Sequence, residues 1–272
     1  MIRAVSQAVI LQHVPYAGPG RIAPMFRDYG IPVQVRHLYR GDEPPVDLDE
    51  VRVLVVLSGP MRIQQIADSQ FPFLAQEIET LRRTIAADRP VLGIGLGAQL
   101  LAHAAGAKVF PNTRPPVRPE DPSVPAPEFG WAPVTFPFPG GTEPLVFGLV
   151  DGSPVFHWHF DTFDLPRLHA PSNPAPPPAP PPPTGNSLLC SSRVCRNQAF
   201  RFKSRLFGFQ FHFELTEHDI ESLLDNESEI LRTVGDAELP KRIRSETPGF
   251  YPRYARTGAR IVENFVQFLK AY

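Results

Sequence analysis

The chain has 272 residues, 42% of them apolar and 20% charged, with 27 Lys and Arg against 28 Asp and Glu for a net charge near -1. That is enough apolar material for a sizeable core, in one large domain or two small ones. No basic run or basic face with interleaved aromatics is present, which argues against nucleic acid as a partner.

Residues 1–18 hold one arginine and an apolar run too short, broken at Gln12 and His13, for a secretion signal or a membrane span. A cytoplasmic protein with no membrane association is therefore expected. The run 8–14 reads as a strand, Gly18, Pro19 and Gly20 as a loop, and Ile22, Met25, Phe26 and Tyr29 recur at helical spacing. Residues 33–39 alternate as a strand does, and 51–60 is apolar almost throughout, which suits a strand covered on both faces. Phe73, Leu74, Ile78, Leu81 and Ile85 outline an amphipathic helix over 71–87, and Pro90 opens another strand at 91–94. Strands alternating with helices predict an α/β fold: a doubly wound, mainly parallel central sheet with helices on both faces, flavodoxin-like.

After Lys108 the pattern changes to short runs at 131–136, 144–149, 154–160, 197–202 and 206–213, separated by Pro, Gly and Asp. These read as antiparallel or mixed strands added to the same sheet. Helices are expected over 216–231 and 257–272, the second burying Ile261, Phe265, Phe268 and Leu269. A single domain over 1–272 is expected. Of the 34 prolines, many fall in 171–185, a low-complexity insertion expected to be polyproline II or disordered, because proline lacks the N–H a central strand must donate. Cys190 and Cys195, the only two cysteines, form neither a metal-ligand pair nor a disulfide framework, and a reduced compartment fits them.

The stretch RPVLGIGLGAQLLAHAAG, 89–106, reads as a buried strand, a glycine turn and a helix. Gly93, Gly95 and Ala98 match the G-x-G-x-x-G/A fingerprint, in which glycines let the backbone approach a pyrophosphate at a helix N-terminus. That reading also needs a carboxylate about 20 positions on, and AKVFPNTR supplies none. The alternative is an elbow that displays one side chain over the C-terminal edge of the sheet.

The residues around this elbow carry a resemblance. PVLGIGLGAQLLA is similar to the PVLGICLGAQLLA signature of class I, or triad, glutamine amidotransferases, with Gly95 where the family carries its nucleophilic cysteine. ILQHVPYAGPG, VLVVLSGPM, EFGWAPV, VFHWHFDTFDLP and NQAFRF resemble the stand-alone branch related to the glutaminase domain of GMP synthase. GFQFHFELT resembles GLQFHPEVT, which carries the family's catalytic His and Glu, here His212 and Glu214. By the same resemblance the oxyanion donors are the N–H groups of Gly59 and Leu96, and Gln99 and His159 lie near bound substrate. Ser58 and Phe160 stand where the family often has Gly, and Phe213 where it has Pro.

In the family, a cysteine thiolate attacks the amide carbon of glutamine, a histidine shuttles the proton and a glutamate orients the histidine. Glycine offers no nucleophile, and removing one from a comparable triad costs about 10⁶ in turnover. The expectation is a catalytically inactive relative that binds a glutamine-like small molecule, a synthase or another partner protein. The alternative is a hydrolase of amides or esters in which His212 and Glu214 activate water. Bulk at Phe160 and Phe213 is expected to narrow the glutamine pocket. His157 and His159 share one strand face, yet a metal site needs three or four ligands and the sequence clusters nothing else with them, so no metal or other cofactor is assigned.

Overall fold

The computed structural model describes residues 7–114, 122–137, 143–166 and 186–271. The chain runs β1 (Gln7–Gln12), α1 (Ile22–Asp28), β2 (Val33–His37), β3 (Val51–Val56), α2 (Phe73–Ala86), β4 (Val91–Ile94) and α3 (Leu96–Ala104). There follow β5 (Val109–Pro111), β6 (Thr113–Arg114), β7 (Val124–Pro125), β8 (Glu128–Val134), β9 (Ser153–His159), β10 (Asp161–Phe163) and β11 (Asn186–Cys190). The rest is β12 (Ala199–Phe202), β13 (Leu206–Phe209), α4 (Glu217–Asn226), α5 (Ser228–Val234) and α6 (Leu239–Ala271).

The central sheet has the order β11-β12-β13-β4-β3-β1-β2. β2, β1, β3, β4 and β13 are parallel, and β12 and β11 add antiparallel to one edge. Its strands are apolar on both faces because both are covered. Ala8, Ile10, Val53 and Val55 pack with Ile22 and Phe26 of α1 and Ile261 and Phe265 of α6 on one side. Val9, Leu11, Leu54 and Val56 pack with Leu74 and Ile78 of α2 and Leu100 and Leu101 of α3 on the other. The expected α/β, doubly wound architecture is thus present.

Four details differ from the sequence reading. β8 and β9 do not join the central sheet; they pair with each other in an antiparallel ribbon, as do β5 with β10 and β6 with β7. The ribbon buries Phe156 and Trp158 against α4 and α6, with Leu223, Ile243 and Tyr254, so it has its own apolar cover. Residues 144–149 hold a short 3₁₀ turn at Pro144–Val146 instead of a strand, proline pre-setting the first turn. The helix expected over 216–231 is two, because Glu227 between them turns its carboxylate inward to accept from Trp158 Nε1 at 2.7 Å. The last helix begins at Leu239, eighteen residues before the periodicity suggested, and continues through Pro248 and Pro252; burial of Leu239, Ile243, Thr247 and Tyr254 outweighs the lost backbone bonds. The proline-rich stretch 171–185 lies outside the described residues.

Candidate functional site

The C-terminal ends of β3, β4 and β13 meet at one edge of the sheet, the place where open α/β sheets bind ligands. β4 ends at Ile94 and α3 starts at Leu96, so Gly95 makes the whole turn, with φ +56° and ψ -115°. A residue with a Cβ is strained at such a φ by about 1–3 kcal/mol, and glycine is not. The Gly95 N–H donates to the Phe209 carbonyl at 2.8 Å, tying the elbow to β13.

Past β13 the chain carries His212 and Glu214, both buried. His212 N–H donates to the Phe156 carbonyl of the ribbon at 2.8 Å. Its Nδ1 lies 2.6 Å from Glu214 Oε1, while Glu214 Oε2 accepts from the Phe213 N–H at 2.9 Å. The carboxylate therefore fixes the ring with Nδ1–H toward it and Nε2 outward. Nε2 has no hydrogen-bond partner among the described residues, and it lies 3.5 Å from the point where a Cβ on Gly95 would stand. Arg21 braces this loop from below, donating to the carbonyls of Leu215 and Ala255, both at 2.6 Å. Thr216 then caps α4 reciprocally with Asp219.

Ser58 follows β3 and enters the same space. Its Oγ lies 2.2 Å and its Cβ 2.8 Å from the Cβ position at Gly95, and the hydroxyl accepts from the Leu96 N–H at 3.4 Å. Behind it His13 and Glu77, both fully buried, pair at 2.9 Å, and the other ring nitrogen of His13 lies 3.2 Å from the Ser58 carbonyl. Burial opposes charge on His13, but Glu77 and that carbonyl outweigh it and raise the imidazole above its ordinary value.

A cleft of about 40 Å³ opens beside Ser58, lined by Gly59, Leu96, Gln99, His159 and Phe160 among others. That volume holds a few water molecules. All four residues expected to contact substrate or oxyanion therefore share one cavity wall. Phe160 lines the cavity, stacking edge-on against Phe129 with the Arg62 guanidinium above it. Phe213 does not line it, contrary to the expectation; it is wholly buried and packs on Phe209 and Phe211 in the core. The direction of the side chain on the loop after β13 decides this, and a one-dimensional motif does not carry it.

Three features in or beside the cleft wall were missed by the sequence reading, the third lying behind His159. Arg62 forms a two-pronged pair with buried Asp161, and Glu227 contributes a carboxyl raised by burial, against the hydrogen bonds it accepts from Trp158 and Tyr16. The third is Glu128. Cross-strand pairing sets it opposite His159, where its Oε2 lies 3.3 Å from His159 Nε2. One ligand atom from each of Glu128, His157 and His159 lies within 4.8 Å of the others. Glu128 thus joins His157 and His159 in one buried cluster, which the sequence spacing did not reveal. Burial pushes His157 down to about 4. For Glu128, burial is outweighed by His159, His157 and Ser192, and its carboxyl lies below the usual range. Cys190 and Cys195 are free and buried, and burial raises both thiols, Cys195 to about 11, which leaves them poor nucleophiles.

The family model described as glutamine amidotransferase class-I matches residues 20–228. The chain belongs to the class I glutamine amidotransferase family. Among its relatives, the glutamine amidotransferase-like protein YfeJ of Salmonella typhimurium is 26% identical over 235 residues, covering 86% of this chain and 84% of that protein. Among solved structures, a glutamine amidotransferase from Thermotoga maritima superposes with a TM-score of 0.69 at 23% identity, covering 96% of this chain and 99% of the other. One from Methylobacillus flagellatus gives 0.70 at 24% identity, covering 97% and 95%. At such identities these two structures speak to the fold. No helix among the described residues is long and apolar enough to cross a membrane.

Proposed function

We propose that this chain is a class I amidotransferase relative in which Gly95 occupies the nucleophile position, so that glutamine is not hydrolysed through a thioester and the cleft serves to bind a glutamine-like small molecule. The observation that carries this reading is the pairing of an elbow that has no side chain with a base whose Nε2 has no partner among the described residues: Gly95 sits 3.5 Å, measured from its absent Cβ, from His212 Nε2. Thioester chemistry needs a thiolate at that point, and the buried, raised thiols of Cys190 and Cys195 are no substitute. Ser58 supports the same reading, since its side chain fills the space that a nucleophile would occupy. The resemblance to the GMP synthase branch suggests that any partner is a synthase-type protein receiving the ligand or sensing it.

The test is ammonia release from glutamine, with the Gly95→Cys/Ser58→Gly double variant beside the wild type. The wild type is expected to match its own His212→Ala variant, and the double variant to gain turnover or to be labelled by a glutamine-mimicking electrophile. Wild-type turnover that disappears with His212→Ala would instead favour the second reading, hydrolysis of an amide or ester by water activated at His212. What favours that alternative is Nε2, without a partner among the described residues, although His212 does not line the cleft. Against it, the Leu96 N–H, one of the two donors an oxyanion would need, is already engaged by the Ser58 hydroxyl.

A further inference from the structure

The wall of the cleft at His159 leads to Glu128, His157 and Gln198, side chains that the amidotransferase reading leaves without a task. Glu128, His157, His159 and Gln198 are all buried, His157 and Gln198 completely. His157 makes only a loose contact to the Ala132 backbone and no other hydrogen bond among the described residues, and Gln198 Oε1 has no partner there. A buried polar atom left unpaired is rare in folded proteins and costly. Several in one cluster call for a common cause.

His159 narrows the choice. Its Nδ1 lies 3.0 Å from the Asp161 carbonyl, which can only accept, so Nδ1 carries a proton and the lone pair of a neutral ring resides on Nε2. That lone pair lies 3.3 Å from Glu128 Oε2, itself an acceptor, and 3.4 Å from Gln198 Nε2, whose short bond to the same carboxylate oxygen leaves His159 the longer contact. Two ligand atoms, each about 2.0–2.1 Å from a tetrahedral zinc ion, lie about 3.3 Å apart. A histidine whose far nitrogen donates to a backbone carbonyl is also the usual orientation of a metal-ligating imidazole. Ser192 Oγ donates to Glu128 Oε1 at 2.7 Å and Gln198 Nε2 to Oε2 at 2.6 Å, so the carboxylate is held in place by its neighbours.

We infer that Glu128, His157 and His159 form a buried binding site for a divalent cation of the zinc type, adjoining the cleft through His159. Two imidazole nitrogens and one carboxylate oxygen suit zinc better than calcium or magnesium, which prefer oxygen. With three protein ligands, the fourth position falls to water or to the Gln198 carboxamide. The competing arrangement, an imidazolium at His159 paired with Glu128, accounts for the 3.3 Å contact but leaves at least one ring nitrogen of buried His157 without a partner among the described residues. The inference is independent of whether the elbow is catalytic.

Full-length protein stripped with EDTA and titrated with zinc sulfate by calorimetry is expected to bind a single zinc per chain, with a melting temperature that rises on addition. Cobalt(II) in its place should give the intense visible absorption of a four-coordinate ion. Glu128→Gln and His157→Ala should each weaken zinc binding by at least about 10–100-fold, the loss seen even for residues that only support a ligand. His218→Ala, at an exposed position, should bind as the wild type does. If His157→Ala does not fold, the near-isosteric Glu128→Gln and the wild-type titration decide the matter. A wild type that takes up no zinc in the micromolar range, or a Glu128→Gln variant that binds it unchanged, overturns the inference.

Discussion

Ser58 Oγ stands 2.2 Å from the point that a Cβ on Gly95 would occupy, and Ser58 Cβ 2.8 Å from it, closer than two such atoms can approach. The serine and a side chain at 95 are therefore alternatives for one volume at the elbow. Ser58 is held there by its contact to the Leu96 N–H and by the His13 ring against its carbonyl.

The two positions should consequently be coupled. Gly95→Cys alone is expected to lower stability by about 1–3 kcal/mol, through overpacking and the positive φ at the turn. Adding Ser58→Gly should recover part of that loss, giving a coupling energy of about 0.5–3 kcal/mol in a double-mutant cycle. Urea denaturation of the four proteins measures it, and strict additivity would show that Ser58 moves aside freely. The thiol in the single variant should also react more slowly with iodoacetamide than in the double.

Phe160 and Phe213 should separate cleanly. Phe213→Ala removes a wholly buried ring from the core and is expected to cost about 3–5 kcal/mol while leaving ligand access unchanged. Phe160→Ala, on the cavity wall, should cost less and admit larger molecules, read as a stronger thermal shift with glutamine or its analogues. Equal stability losses with no change in ligand response would contradict this placement.

The His13–Glu77 pair makes a pH-dependent contribution. His13 is raised in the folded protein above the unperturbed value of about 6.5, so the folded state holds more protons than the unfolded between those two values. The contribution is complete below about pH 6.5 and is lost as pH rises through the folded value. Glu77, the Ser58 carbonyl and the tilted ring of Phe73 face this ring. Stability of the wild type should therefore fall from pH 6 towards alkaline pH more steeply than that of Glu77→Gln, in matched denaturant titrations. Parallel pH profiles would remove the pair as the cause.

Much of the fold was legible because its causes are local. The apolar run at Val51–Val56, the helical period of Phe73, Leu74, Ile78 and Leu81, and the glycine turn at Gly95 each follow from spacing and backbone freedom within a few residues. His212 and Glu214 were found through the resemblance of GFQFHFELT to the family motif, and their two-residue spacing lets the imidazole meet the carboxylate within one loop. The start of α6 at Leu239 was not legible, since its prolines argue locally against a helix and only packing against the ribbon overrides them.

What the tertiary structure alone decided is which side chains from distant segments share a volume. Ser58 and Gly95 come from adjacent strand ends 37 positions apart, and their competition exists only because β3 and β4 pair in parallel register. Glu128 meets His159 because β8 and β9 leave the central sheet to form their own ribbon, a choice made by the apolar cover that α4 and α6 provide. Phe213 and Phe160 look equivalent in sequence, each beside a histidine, yet one turns into the core and the other into the cleft. Sequence spacing determines periodicity along one element; contact between elements depends on register and side-chain direction, which arise only when all the buried surfaces are satisfied together.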